Sequence, residues 1–285
     1  MNVTRSIVVG YDDTTASTAA VRWAADLARS TDVGLRIVHA WTWPLLGSGM
    51  AGVPVIDSAG PRNQALRLLD DVAEDVAAKA PEVTVHTDLI PGSPRDVLDE
   101  VSQSADLLVV GTRGLGAVLG TLLGSVSRGL LHDAGSPVAI IRSEHHHAGP
   151  VLAAYDGSDA GGEAVDVAAD LATTWGSVLR VVHVQDDGHA PYSNSLEAWS
   201  GGSRSRSLLD QAAERAGSRH QELTVETRML EGGSAAAGLL SAAAGARILV
   251  MGHRGLSRGP FGSTAHATVL HATGNVLVVR RPAAE

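Results

Sequence analysis

Residues 106 to 125 read Asp106-Leu-Leu-Val-Val-Gly111-Thr-Arg-Gly114-Leu-Gly-Ala-Val-Leu-Gly-Thr-Leu-Leu-Gly124-Ser125. The stretch begins with a short apolar run that is typical of a buried strand, and Ser125 opens a segment that we interpret as a helix. Glycines between a strand and a helix N-terminus let backbone N–H groups approach an anion closely. The stretch therefore predicts an α/β unit with a phosphate-binding loop.

A shorter version of this loop occurs later in the chain, as Gly252-His-Arg-Gly255-Leu-Ser-Arg-Gly-Pro-Phe-Gly262-Ser263-Thr264. Other parts of the chain repeat as well. Tyr11-Asp12 recurs 144 residues later as Tyr155-Asp156, and Gly92 aligns with Gly232 at a shift of 140. Self-similarity at a long period indicates a duplicated structural unit, with small changes in the shift at surface loops.

Each repeat alternates short apolar strands with amphipathic helices, which predicts right-handed crossovers and a mostly parallel sheet. The predicted class is α/β, with two tandem domains at residues 1–143 and 150–285 joined by a linker at 144–149. Each domain is a five-stranded sheet flanked by helices. The two last strands, Val138–Arg142 and Val276–Arg280, could pair within the chain as an internal pseudo-dimer. Residues 192–207 are rich in serine and glycine and predict a mobile segment.

Composition excludes several classes of function. The net charge of −9 argues against a nucleic-acid or anionic-membrane partner. The absence of cysteine excludes thiolate chemistry, and no signal-peptide pattern or membrane-length apolar run is present, so we expect a cytoplasmic protein. Lys79 is the only lysine, so a P-loop of the form GxxxxGK[ST] is absent. Any phosphate must be held by backbone amides, hydroxyls, arginine or a metal.

Ligands of open α/β sheets bind beyond the carboxyl ends of the strands. Three elements of each repeat should meet there: the turn after strand 1, the end of strand 2 and the glycine loop after strand 4. Asp12 and Asp156, in the turn, could accept a hydrogen bond from a ligand or simply cap the next helix. His39 and His183, at the ends of strand 2, are expected to pack against the site or orient it. The loop glycines could also simply be residues of a connecting loop, but their duplication in the same place favours a ligand-binding site.

The spacing Gly-x2-Gly-x9-Gly-Ser, together with an upstream Val-Gly-x-Asp-x-[Ser/Thr], resembles the universal stress protein family. The resemblance covers essentially the whole chain as two tandem domains. It implies a Rossmann-like (adenine nucleotide alpha hydrolase-like) fold with strand order 3-2-1-4-5. It also implies binding of ATP, often with a divalent cation such as Mg²⁺ or Mn²⁺, and a homodimer.

The resemblance also implies the residues that hold the nucleotide. The two aspartates would contact adenine or ribose, the backbone at Ala40 and Val184 would contact adenine, and the glycine loops would hold ribose and phosphates. The implied set in the first repeat is Gly10, Asp12, Ala40, Gly111, Thr112, Arg113, Gly114, Gly116, Gly124, Ser125, Val126 and Ser127. The implied set in the second repeat is Asp156, Val184, Gly252, His253, Arg254, Gly255, Gly262, Ser263 and Thr264. No catalytic residue and no protein metal site are predicted.

The second repeat departs from the family pattern. Only six residues separate Gly255 from Gly262, where the first loop has nine, and its first strand ends in Ala154 where the family has glycine. The first repeat also departs, with Asp13-Thr14 in place of Gly-Ser. The shorter loop could leave the second site weakened, altered or lost, but this repeat keeps Asp156-Gly157-Ser158 and Gly262-Ser263-Thr264, so binding there stays an open alternative.

Three functions fit the sequence. The leading hypothesis is a nucleotide-gated regulator in which ATP orders the glycine loops. A slow ATPase or phosphotransferase is the second, although the chain offers no Walker lysine and no obvious base beyond the aspartates. The third is a nucleotide-free dimerising module, which the intact first loop disfavours.

Overall fold

The computed structural model describes residues 6–41, 59–112, 123–143, 149–185, 195–231, 233–255 and 262–280. The chain divides into two compact units, Met1–Ser136 and Pro137–Glu285. Both units alternate strands with helices, so the predicted α/β class with two tandem Rossmann-like domains is confirmed.

The first unit contains four strands in the spatial order β3-β2-β1-β4. Each neighbouring pair is parallel. Its elements are β1 (Ser6–Gly10), α1 (Thr15–Thr31), β2 (Gly34–Trp41), α2 (Ala59–Lys79), β3 (Val85–Pro91), α3 (Pro94–Ser102), β4 (Leu107–Gly111) and α4 (Ser125–Asp133).

The second unit has the strand order β5-β10-β9-β6-β7-β8. Its elements are β5 (Val138–Ile141), β6 (Val151–Ala154), α5 (Asp159–Thr174), β7 (Leu179–Gln185), α6 (Ser195–Arg219), β8 (Val225–Glu231), α7 (Ala235–Ala242), β9 (Ile248–Gly252), α8 (Ser263–His271) and β10 (Val276–Val279). Four of the five strand pairs are parallel.

The exception is β5, which pairs antiparallel with β10, so that Val138 lies opposite Val278 and Ile140 opposite Val276. The repeat pattern assigns β5 to the first copy, whereas its pairing places it in the second compact unit. The predicted pairing of the two last strands within one chain is confirmed.

The apolar runs that predict strands form the cores of the two units. Val9, Val109 and Val250 are fully buried. On α1, Val21 and Ala24 are buried at the spacing expected for one helical face. Each buried valine or leucine contributes about 1.5–3 kcal/mol relative to exposure, so these runs drive folding. No described helix is long and apolar enough to span a membrane.

The serine- and glycine-rich segment from 192 to 207 is largely helical, because α6 begins at Ser195. The mobility expected for this segment stays a prediction. Further along α6, Ala212 and Ala216 are buried, and Arg215 forms a two-bonded ion pair with Asp166 of α5. Packing and this ion pair outweigh the weak helix propensity of serine and glycine.

Thr268 of α8 is fully buried, and its hydroxyl has no hydrogen-bond partner among the described residues. A buried hydroxyl without a partner costs free energy that an isosteric apolar side chain does not. We expect Thr268→Val to raise the free energy of unfolding by about 1 kcal/mol. Urea unfolding followed by circular dichroism measures the change, and a loss of stability would show that the hydroxyl is bonded.

Candidate functional site

The carboxyl ends of β1 and β4 lie side by side, because these strands are parallel neighbours with Val9 opposite Val109. Gly10 ends β1 and Gly111 ends β4. The turn after β1 and the glycine loop after β4 therefore leave the sheet at the same edge, where open α/β sheets bind ligands. β6 and β9 give the same arrangement in the second unit.

The turn after β1 is organised by Asp12. Its Oδ1 accepts a hydrogen bond from the Thr14 hydroxyl at 2.7 Å and from the Thr14 N–H at 3.3 Å. Thr14 is itself the N-cap of α1, and its hydroxyl accepts the N–H of Ser17. Asp12 therefore supports the cap from two residues upstream and is not the cap that its position in the sequence suggests.

The second unit repeats this turn. Asp156 Oδ1 accepts the N–H of Ser158 at 3.0 Å and its hydroxyl at 2.5 Å, and Ser158 caps α5. Asp13 has φ 61°, and Gly157, which occupies the same place 144 residues later, has φ 84°. The turn thus needs a left-handed residue, and aspartate tolerates this conformation better than most residues.

His39 and His183 hold the two turns from the neighbouring strand. The Nδ1 atom of His39 lies 2.7 Å from the carbonyl oxygen of Tyr11, and His183 Nδ1 lies 2.8 Å from that of Tyr155. Each histidine orients its turn, as expected. Ala40 and Val184, the next residues along, pair with the edge strands at Ile90 and Leu230.

Gly111 permits a close approach of β4 to the first turn of α1. A methyl group on Gly111 would lie 2.6 Å from the carbonyl carbon of Ala16 and 2.9 Å from the amide nitrogen of Ser17. Gly252 has the same relation to Ala160, with a distance of 2.8 Å to its carbonyl carbon. Glycine is required at both positions because the strand packs too closely against the helix for a side chain to fit. The sequence pattern did not reveal this role.

Helix α4 begins at the far end of the glycine loop. The N–H of its N-cap, Gly124, donates to the Thr112 carbonyl at 2.7 Å, which ties the two ends of the loop together. The Ser127 hydroxyl donates to the Gly111 carbonyl at 2.9 Å, and Ser127 is buried. The structure therefore turns this hydroxyl inward, away from the phosphate role that the sequence assigns to it.

The start of α4 differs from those of four other described helices. Side-chain hydroxyls cap α1, α3, α5 and α7, and they belong to Thr14, Ser93, Ser158 and Ser234. No side chain among the described residues caps α4 or α8. Within the described part of the chain, no side chain caps the first N–H groups of these two helices, which is the property of a helix terminus that binds an anion.

The second glycine loop is anchored by His253. The His253 carbonyl accepts the N–H of Gly262 at 2.9 Å, and its own N–H donates to the Val279 carbonyl at 2.9 Å. The imidazole is buried, with Nδ1 at 3.3 Å from the same carbonyl. Ala265 takes the place of Ser127 in this copy.

Burial lowers the pKa of His253 below its usual 6.5, and the nearby charges of Arg280 and Arg254 lower it further. The unfolded chain then binds the proton more tightly, so the stability that the neutral histidine contributes is present above about pH 6.5 and is lost as the pH falls toward the folded-state pKa. We expect His253→Thr to weaken the dependence of the free energy of unfolding on pH in this range. Thermal unfolding of both proteins between pH 7.5 and 5 tests this prediction. An equal change of Tm with pH in wild type and variant would contradict it.

Several predicted site residues lie outside the described residues, namely Arg113, Gly114 and Gly116. The described residues place the turn that holds Asp12 and the end of β4 at Gly111 on one edge of the sheet, and a hydrogen bond joins Thr112 to Gly124. Sequence reasoning missed Ser17, a buried residue whose hydroxyl accepts the N–H of Asp12 at 3.3 Å. Among the described residues, no group of three or more histidine or acidic side chains could hold a metal ion.

The fold and the site define a tandem α/β protein with an uncapped helix at the carboxyl edge of each parallel sheet. The chain belongs to the universal stress protein family, because the model of the "Universal stress protein family" matches residues 4–142 and 148–280.

Relatives of this family occur among curated proteins and solved structures. A universal stress protein of Mycolicibacterium smegmatis is 33% identical over 290 residues, which cover 96% of both chains. One from Mycobacterium tuberculosis is 36% identical over 194 residues, and this match covers 65% of each chain. The crystal structure of a universal stress protein from Archaeoglobus fulgidus shares the fold with a TM-score of 0.70 at 21% identity, and covers 99% of this chain and 98% of its own.

Solved structures that match about half of this chain include two that contain a bound nucleotide. One is a universal stress protein in complex with cAMP, with 27% identity, a TM-score of 0.38 and coverage of 49% of this chain and 98% of its own. The other is a universal stress protein family protein from Arabidopsis thaliana with AMP bound. It has 22% identity and a TM-score of 0.34, and the match covers 48% of this chain and 90% of its own. These ligands belong to those two proteins.

Proposed function

We propose that this chain is an ATP-binding regulator of the stress response, which binds its nucleotide at the first site. The phosphates lie at the start of α4 and the glycine loop, and the adenosine lies toward Asp12 and Ala40. Binding of the nucleotide changes the surface offered to a protein partner.

The uncapped start of α4 is the observation that carries this proposal. Helix dipoles and free N–H groups favour an anion at the first turn, and other helices of this chain satisfy those groups with a serine or threonine. Gly124 leaves the position open and ties the loop back to Thr112. A phosphate at Ser125 and Val126 would supply the missing acceptor.

Regulation is favoured over fast catalysis because the chain has no lysine in its glycine loops to stabilise the charge of a transferred phosphoryl group. Phosphoryl transfer needs strong stabilisation of charge and a positioned nucleophile. The chain has a single lysine, Lys79, which lies in α2 and pairs with Asp75. A divalent cation would arrive with the phosphates, because the described residues offer no cluster of ligands for one.

Gly124→Glu tests the site without disturbing the helix. Gly124 has φ −66°, which any residue adopts, and a carboxylate at a helix N-terminus is itself favourable. The added charge would occupy and repel the phosphate position, so we expect the Kd for ATP to rise at least tenfold, about 1.4 kcal/mol, with no loss of stability.

Calorimetric titration of the nucleotide-free full chain with ATP and Mg²⁺ measures the effect. Gly124→Ala is the matched control, since it adds a side chain without charge and should bind within about threefold of wild type. Absence of binding by the wild type, or unchanged binding by Gly124→Glu, would refute the proposed function.

A further inference from the structure

His39 carries a hydrogen-bond acceptor that the described residues leave unused. Its Nδ1 atom lies 2.7 Å from the Tyr11 carbonyl oxygen, and because a carbonyl can only accept, Nδ1 must carry the proton. In the neutral imidazole the other nitrogen, Nε2, is then unprotonated and presents its lone pair. No described residue donates a hydrogen bond to Nε2, and the side chain is only partly buried.

The imidazole of His39 lies where the strand order of the first unit reverses. The last register pair of β1 and β2 joins Gly10 to Val38, so His39 is the first residue of β2 beyond the end of β1. From there the ring reaches the carbonyl of Tyr11, the residue that follows β1. The neighbours of β1 are β2 and β4, and open α/β sheets bind their ligands in the crevice at such a reversal.

The second unit repeats this arrangement of a histidine beyond a strand end. The last register pair of β6 and β7 joins Ala154 to Val182, and His183 is the next residue of β7. Its Nδ1 atom lies 2.8 Å from the Tyr155 carbonyl oxygen. The same tautomer is therefore fixed in both repeats, by the pairing of a strand end with the turn beside it and not by a contact peculiar to one repeat.

We infer that Nε2 of His39 accepts a hydrogen bond from the nucleoside part of the bound nucleotide, so that this histidine contacts the ligand besides orienting the turn. The inference rests on the proposed function for the first site. The donor is a ribose hydroxyl or the 6-amino group of adenine, which are the hydrogen-bond donors of adenosine. The phosphates do not serve here, because their oxygens and the unprotonated Nε2 are both acceptors.

His39→Asn separates contact with the ligand from orientation of the turn. The asparagine amide nitrogen takes the place of Nδ1 and still donates to Tyr11, but no atom replaces Nε2. In calorimetric titrations of the full chain with ATP and Mg²⁺ we expect the Kd to rise about fivefold, with a Tm within about 2 °C of wild type. His86→Asn, at an exposed position near the amino end of β3, is the matched control and should bind like the wild type.

The outcomes of this titration distinguish the inference from the proposed function. A Kd of His39→Asn within about twofold of wild type would show that the ring only orients the turn, and would overturn the inference alone. A wild type that does not bind ATP would refute the proposed function and the inference with it.

Analogues of ATP identify the donor. 2′-Deoxy-ATP, 3′-deoxy-ATP and purine riboside triphosphate each lack one donor of the nucleoside. We expect one of them to bind the wild type about fivefold more weakly than ATP does, and to bind His39→Asn as tightly as ATP binds that variant. A deoxy analogue with this behaviour assigns the ribose hydroxyl, and purine riboside triphosphate assigns the amino group. If every analogue loses the same factor in both proteins, the inference is wrong.

The tautomer of His39 is tested without any ligand. Long-range proton–nitrogen NMR spectra distinguish a protonated from an unprotonated ring nitrogen at about pH 8, where an ordinary imidazole is neutral. The signals that disappear in His39→Asn identify the ring. We expect the proton on Nδ1 and none on Nε2, and a proton on Nε2 would overturn the inference whatever the chain binds.

Discussion

Gly111→Ala is expected to lower the free energy of unfolding by about 3 kcal/mol. The new methyl group would lie 2.6 Å from the carbonyl carbon and 2.7 Å from the carbonyl oxygen of Ala16. These are backbone atoms in the first turn of α1, so no side-chain rotation relieves the overlap. Strand β4 or helix α1 must shift, and the turn that carries Asp12 shifts with them.

Urea unfolding monitored by circular dichroism measures the loss. Gly252→Ala is the matched variant of the second unit, where the closest backbone atom is 2.8 Å away, and should cost slightly less. Gly217→Ala, in α6, is the control with nothing within 4 Å, and should stabilise the chain by about 0.5–1 kcal/mol through helix propensity. Equal behaviour of Gly111→Ala and Gly217→Ala would disprove the close approach.

Arg142→Met is expected to lower the free energy of unfolding by about 2 kcal/mol. The guanidinium donates to the Val269 carbonyl at 2.5 Å, near the C-terminus of α8, and to the Gly274 carbonyl at 3.2 Å. Burial lowers the pKa of Arg142 to about 10, so the side chain remains charged at neutral pH. Methionine fills a similar volume but leaves these carbonyl oxygens without their donor.

Thermal unfolding of Arg142→Met is compared with that of Arg36→Met. The comparison distinguishes the loss of a buried, hydrogen-bonded guanidinium from the loss of a surface ion pair. Arg36 pairs with Asp88 at 2.5 Å, but the two side chains are 32% and 40% exposed, so the loss of this pair should cost at most about 1 kcal/mol. The backbone N–H groups of Arg142 and Ser143 still reach Asn275 Oδ1 in the variant, which should keep β5 in register. Equal losses in the two variants would contradict a special role for Arg142.

The periodicity and turn chemistry of the sequence predicted most elements to within a few residues. For example, α4 was expected to begin at Ser125 and does begin there. Such signals are local, because propensity and capping depend on neighbours along the chain. The alignment of Gly92 with Gly232 is shifted by one residue, since the caps Ser93 and Ser234 stand 141 residues apart and pair Gly92 with Gly233. A sequence comparison cannot place a gap within a surface loop that has no pattern of its own.

The candidate site was predicted less completely than the fold. A hydrogen bond joins Thr112 to Gly124, and Asp12 lies in the turn that leaves the same edge of the sheet. The inward turn of Ser127 and the part played by Ser17 were missed. Both depend on the direction of a hydroxyl, which follows from the packing of a helix and not from residue type or spacing.

By itself, the sequence determined that the chain contains two α/β repeats, each with a glycine loop before a helix. These properties follow from local patterns of apolar, glycine and capping residues. Only the tertiary structure decided that β5 pairs with β10 and that Gly111 lies against Ala16. The residues in each of these contacts are roughly a hundred or more positions apart, so their meeting depends on how whole strands and helices pack and not on any local preference.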